Sequence, residues 1–169
     1  MGSSFSLPLA LVGFPPGWFP SILRDLAHRS ARGEWTECDT PCVLGDLEVA
    51  NFCLAVKDGN VLHTSVGTRR AVVPGALLAA MLPALMPDLF KACEEAGTLV
   101  DAGGQRQPLT IVRTGMVFQA RIRFVSLRTH KDSAFLDVLA EIYSPQTDVS
   151  AEKVRMRVTQ SLTIRRKKT

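Results

Sequence analysis

The spacing of apolar residues changes once along this chain, and that change limits the folds open to it. From Pro74 onward, Leu77, Leu78, Met81, Leu82, Leu85, Leu89 and Phe90 recur at helical intervals. Further on the period becomes two. Leu109, Ile111, Met116, Phe118, Ala120, Ile122 and Phe124 fall in strand-like runs, with Gln119, Arg121 and Arg123 alternating outward. Residues 134–144 repeat the pattern through Phe135, Leu139 and Ile142, and residues 154–164 through Met156, Val158, Ser161 and Ile164. One helical run followed by alternating runs predicts an α+β fold, an antiparallel β-sheet with one wet face packed on one long apolar helix. Pro74 suits the first helical position, Pro83 and Pro87 predict a kink or a split, and Gly97 predicts the stop. The polar, Gly-containing stretch 101–107 predicts a loop.

Upstream of this core the signals are weaker. Five prolines fall between Pro8 and Pro41, so residues 1–45 read as an irregular Pro-rich N-terminal arm. Within it only residues 22–31 are helical in character, with Ser21 as the expected cap. Residues 47–56 predict a strand, Asp58-Gly59-Asn60 a turn, and residues 61–66 a returning strand. The expected organisation is an arm (1–45), one α+β core domain (46–165) and a basic tail (166–169). At 169 residues and 46% apolar composition, such a core can bury enough surface to fold.

Composition also excludes classes of function. No run approaches the ~20 apolar residues of a spanning helix. The apolar stretch near the N-terminus lacks a basic flank, since the first cation is Arg24, so a secretory signal is not expected. Cys53 and Cys93 sit in apolar runs and read as reduced, buried thiols; Cys38 and Cys42 lack a second ligand pair, so no metal is assigned. There is no Gly-rich phosphate loop, no Gly-x-Ser-x-Gly and no paired carboxylates on one predicted face. No cofactor is assigned, and the balance leans to a non-enzymatic protein.

Charge supplies the expectation about partners. Residues 106–169 carry thirteen Lys/Arg against five Asp/Glu, net +8 within a chain of net +4. Arg121, Arg123, Arg155, Arg157, Arg165, Arg166, Lys167 and Lys168 would form a basic face for an anionic membrane surface or nucleic acid. The start Met1-Gly2-Ser3-Ser4-Phe5-Ser6 fits the N-myristoylation pattern at Gly2, and a polybasic patch is the usual second anchor. Pro15, Pro16 and Trp18 lie in a Pro-aromatic segment of the kind that docks into a groove-type domain of a host partner. Residues 146–169 hold no aromatic residue, so base stacking there is unsupported, although a nucleic-acid-binding accessory role uses the same face.

Two resemblances follow. Pro15-Pro16-Gly17-Trp18 is similar to a Pro-Pro-x-Tyr budding motif, and Asn51-Phe52-Cys53-Leu54-Ala55-Val56-Lys57 and Phe135-Leu136-Asp137-Val138-Leu139-Ala140-Glu141-Ile142-Tyr143 resemble strands of rhabdovirus matrix proteins. That resemblance spans residues 47–145. It implies a viral structural protein on the inner membrane leaflet, in host cytoplasm and virion. Such a protein would self-associate and link the membrane to viral nucleoprotein or RNA. The second resemblance rests on His63, Gly67 and Val73-Pro74-Gly75, which are similar to the catalytic-His and Pro-Gly arrangement of hot-dog dehydratases over residues 63–82. It implies a homodimeric acyl-thioester dehydratase or thioesterase with His63 lining an acyl tunnel. The His-to-Pro spacing is longer than in that family. The acidic partner expected on the first helical turns is replaced by Ala79 and Ala80, which leaves the acid/base pair incomplete.

Overall fold

A computed structural model describes residues 11–38, 40–145 and 153–168. Gly2, the site of the expected lipid, lies outside the described residues. The described residues begin with strand β1 (Leu11–Val12) and helix α1 (Ser21–Ala31). Pro20, rather than Ser21, occupies the cap position of α1. Two further short strands, β2 (Thr36–Glu37) and β3 (Cys42–Val43), lead into α2 (Asp46–Val56) and a single 3-10 turn at Val61–His63. Then come α3 (Gly75–Ala80), α4 (Leu82–Leu85) and α5 (Pro87–Ala96), followed by β4 (Gly97–Pro108), β5 (Val117–His130), β6 (Ser133–Ser144) and β7 (Lys153–Arg166).

The strands form one mixed sheet in the order β1-β5-β6-β7-β4, with β2 and β3 also paired to β5. Only β1 runs parallel to its neighbour. β1, β2 and β3 line successive parts of one edge of β5, at Ser126–Leu127, Arg121–Ile122 and Val117–Phe118. The stretch read as an arm thus supplies one strip of the sheet.

The inner sheet face carries Phe118, Ile122, Phe124, Leu136, Val138, Ile142, Met156 and Val158, all buried. Leu82 and Leu85 of α4, Met86 between the helices, and Leu89, Ala92 and Cys93 of α5 are buried in the same core. Each such large apolar side chain contributes about 1.5–3 kcal/mol on removal from water. The edge of α1 joins this core through Leu23, Leu26 and Ala27. Ser30 Oγ accepts from the Phe124 amide at 2.9 Å beside the register shift at Phe124/Ser126.

Four expectations are corrected here. The single long helix is three short ones. Pro83 and Pro87 each stand in the first turn of a new segment, where the missing N–H costs nothing; mid-helix it would cost about 3 kcal/mol or more. Residues 47–56 are a helix, not a strand. Gly45 N–H donates to Glu48 Oε2 at 3.1 Å, Asp46 and Glu48 occupy the first turn, and Val49 and Cys53, four residues apart, face inward. Residues 61–66 accordingly make the 3-10 turn and an isolated bridge from Val66 to Arg69 rather than a returning strand. Finally, 101–107 is the outer half of β4, which pairs along its length with β7 and shifts register between Asp101 and Gly104. Its side chains beyond Leu99 are exposed, so it lacks the apolar alternation that marks a half-buried strand.

Candidate functional site

The sequence between α2 and α3 folds back on itself through side-chain caps. α2 ends at Lys57 in the left-handed region (φ 58°), and the Asp58 amide donates to Cys53 O at 2.8 Å. Asp58 Oδ1 then accepts from the Asn60 amide, and Asn60 Oδ1 from the Leu62 amide, each at 3.0 Å. These two bonds nucleate the 3-10 turn and bring His63 back over Asp58. His63 Nδ1 lies 2.6 Å from the Val72 carbonyl. A carbonyl only accepts, so Nδ1 carries the proton and Nε2 is the free ring nitrogen. Nε2 lies 3.4 Å from Asp58 Oδ2, with His63 13% and Asp58 35% exposed. At that separation the two groups are in direct contact at the long limit of a hydrogen bond.

His63 belongs to the walls of two cavities. One, of about 430 Å³, is mixed in character, with Asp46, Asp58, Asn60 and Ser65 beside Ala50, Cys53 and Leu54. The other, of about 280 Å³, is apolar and includes Val72, Gly75, Leu78, Ile111 and Met156. Asp46 ties the first cavity to the core: its Oδ1 accepts from Ser65 Oγ and Thr114 Oγ1, both at 2.8 Å. These hydrogen bonds, Ser65 first, hold its carboxyl below the usual carboxylate range.

The acidic partner of His63 is therefore Asp58, not a residue of the first helical turns. The sequence showed it as a turn residue, and the signal that identifies it is Asp-x-Asn-x-x-His, in which the Asx turn carries the carboxylate to the imidazole.

The remaining residues singled out by the sequence do not join this site. Arg121 and Arg157 flank Glu141, which is 2% exposed, with Arg121 Nη2 at 3.0 Å and Arg157 Nε at 2.7 Å from its two oxygens. Arg123 is buried and stacks on Trp35 at 4.8 Å, its Nε and Nη2 without a hydrogen-bond partner. Arg155 is buried and donates to Ser144, Thr110 and Ile111. The outward arginine row is thus largely engaged within the molecule, whereas Arg165, Arg166, Lys167 and Lys168 are exposed. Pro15 and Pro16 are half-buried, Pro16 O accepts from the Phe19 amide at 3.0 Å, and Trp18 packs edge-on against Phe19 at 5.0 Å.

No family model and no curated protein matches the sequence. Solved structures do match. The (3R)-hydroxyacyl-ACP dehydratase complex HadBC from Mycobacterium tuberculosis aligns with TM-score 0.62 at 14% identity, covering 76% of this chain and 93% of that one. The (R)-hydratase of A. caviae involved in PHA biosynthesis aligns with TM-score 0.56 at 19% identity, covering 76% and 92%. A MaoC-like dehydratase from Rhodospirillum rubrum aligns with TM-score 0.57 at 12% identity, covering 80% and 93%.

The fold is hot-dog-like. In this hot-dog-like frame α3, α4 and α5 take the place of one central helix against the sheet. The resemblance to matrix proteins is corrected. The three structures are dehydratases and a hydratase, and residues 51–57, read as a matrix-protein strand, lie mostly in α2. The viral, myristoylated and membrane-associated character that went with that resemblance has no support in these likenesses.

Proposed function

We propose that this chain adds water to, or removes it from, the α,β bond of an acyl thioester, with Asp58 and His63 as its acid/base pair. The observation that carries this reading is the 3.4 Å approach of His63 Nε2 to Asp58 Oδ2 beside a cavity of mixed lining and an apolar one. The hot-dog-like fold, found also in structures described as hydratases and dehydratases, supports it.

In the hydration direction a water rests against both groups, beside their 3.4 Å contact. His63 Nε2 takes a proton from it as the oxygen bonds to the β carbon, and the same proton then passes from Nε2 to the α carbon, which restores the imidazole and leaves a 3-hydroxyacyl thioester. The Asp58 carboxylate beside Nε2 stabilises the imidazolium that forms between the two transfers. The Val72 carbonyl fixes the tautomer that leaves Nε2 able to accept. Dehydration runs through the same groups in reverse. The apolar cavity takes the acyl chain.

The test is loss of enoyl absorbance when a 2-enoyl thioester is mixed with the protein. His63→Ala and Asp58→Asn should each lower kcat/KM by about 10²–10⁴-fold with an unchanged melting temperature. An inert wild-type protein, or hydrolysis of the thioester with no hydration, sinks the reading.

The chain is further proposed to work as a pair of subunits. β4 is paired with β7 alone among the described residues, so its second edge is an unpaired row of backbone donors and acceptors. Two of the similar structures, HadBC and ChsH1-ChsH2, are described as complexes.

A further inference from the structure

We propose that Ser65, held by Asp46, is a positioning residue for His63: it fixes the Val72 carbonyl that keeps the imidazole proton on Nδ1. The consequence for turnover rests on the hydration reading above; the effect on the imidazole does not. His63 and Val72 are nine residues apart, and the chain between them returns through a narrow loop. Val66 and Arg69 exchange both backbone bonds at 3.0 Å around Gly67, which stands in the left-handed region (φ 58°). The mouth of the loop is closed by Val72 N to Leu62 O at 2.8 Å. Between these two closures, Ser65 Oγ accepts from the Ala71 amide at 2.9 Å.

Ala71 is buried, so its peptide groups need partners within the molecule. Its amide has the Ser65 hydroxyl, and its carbonyl accepts from the Thr114 amide at 2.9 Å. Both partner residues are held by one atom: Asp46 Oδ1 accepts from Ser65 Oγ and from Thr114 Oγ1, each at 2.8 Å. Asp46 is exposed and Thr114 buried, so the three residues join the rim of the mixed cavity to the core. A serine hydroxyl has one proton. The Asp46 carboxylate takes it in a charge-assisted bond, which turns the lone pairs of Oγ toward the Ala71 amide. Ala71 is thereby gripped on both sides, and the next carbonyl, Val72 O, is delivered to His63 Nδ1 at 2.6 Å.

An imidazole is a base only at its bare nitrogen, and the hydrogen bond made by one nitrogen decides which that is. Val72 O is the acceptor on Nδ1. A carbonyl that drifts out of reach no longer confines the proton there, and Nε2, the nitrogen that faces Asp58 at 3.4 Å, then carries it in part of the molecules. No hydrogen bond joins Ser65 or Asp46 to His63 or Asp58 among the described residues. Both therefore act on the imidazole through Ala71 and Val72.

The test reads the tautomer directly, by long-range proton–nitrogen NMR of the nitrogen-labelled full chain at about pH 8, above the ~6.5 of an ordinary imidazole. The chain has three histidines, and His63→Gln assigns the signals of this one. The wild type should show a protonated Nδ1 and a bare Nε2. In Ser65→Ala and in Asp46→Ala the two nitrogen shifts should move toward each other, as both tautomers are populated. Ser65→Thr keeps the hydroxyl and should restore the wild-type pattern. Asp137→Ala, which loses the same kind of serine–carboxylate bonds on the sheet, should lower the melting temperature and leave the His63 signals in place. That contrast separates positioning from general loosening. Should Ser65→Ala not fold, Thr114→Val decides: it keeps the side-chain shape and the Ala71 carbonyl bond, loses one bond to Asp46, and should move the shifts the same way by less. A wild type with its proton on Nε2 overturns the inference. So do His63 shifts identical in wild type and Ser65→Ala, or in wild type and Thr114→Val where that variant takes its place. Turnover of a 2-enoyl thioester separates the two readings. Ser65→Ala should lower kcat about tenfold to a hundredfold with KM unchanged. An inert wild type whose tautomer still depends on Ser65 removes the reaction and leaves the positioning. An active protein with the same kcat in wild type and Ser65→Ala overturns the inference and leaves the reaction.

Discussion

Two aspartates outside the proposed acid/base pair, Asp46 and Asp137, each accept two hydroxyl hydrogen bonds. Asp46 takes them from Ser65 and Thr114, and Asp137 from Ser161 at 2.6 Å and Ser126 at 2.8 Å. These bonds hold both carboxyls below the usual range. In the unfolded chain an aspartate titrates near ~3.9. A folded value depressed below this means that the contribution is complete above it and is lost as pH falls through the folded value. Below about pH 4 the denaturation midpoint should therefore fall. It should fall less steeply in the Asp46→Ala, Asp137→Ala double variant, and equal slopes would refute the assignment. At this scale the sequence was half legible. His63 stood out because a histidine ahead of a Pro-Gly helix start is an uncommon placement. Asp58 did not, because Asp-Gly-Asn is also an ordinary turn; only the closure of the Asx turn brings its carboxylate to the imidazole.

The β4–β7 pair shows which elements a sequence conceals. β4 is polar on both faces, so no period marks it, and the evidence for it is in its glycines. A Cβ at Gly97 would strike the Arg165 carbonyl oxygen, and one at Gly104 the Thr159 carbonyl oxygen. Gly97→Ala should lower stability by about 1–3 kcal/mol. Gly103→Asn, at φ 104° with nothing within 4 Å, should cost less. Urea midpoints for the two variants check this, and the reverse order would show that β4 is misplaced. The β5–β7 strands were legible because a core on one side and solvent on the other impose the period of two. α2 was not, since Leu47, Leu54 and Val56 are exposed while Val49 and Cys53 are buried, so its apolar residues surround the helix. Its cap and first-turn acids carried the better signal.

For the whole molecule, the open second edge of β4 predicts a particle of two chains. Light scattering behind size exclusion should report twice the chain mass at micromolar concentration, and a single chain mass would count against the pairing. The domain class was legible because one change of period along a chain of this length leaves few layer arrangements. The hot-dog-like fold was legible only as the second of two resemblances, through His63 and Val73-Pro74-Gly75, because a row of outward arginines reads as a docking face until their partners are seen. β7 leaves the ribosome after β4, β5 and β6, yet lies between β6 and β4 and joins Gly97 to Arg166. Until it emerges, β4 has no neighbour within the chain, and its pairing must close a long loop. Folding should therefore be late and comparatively slow, with the nascent chain dependent on protection of that strand until the gap in the sheet is filled.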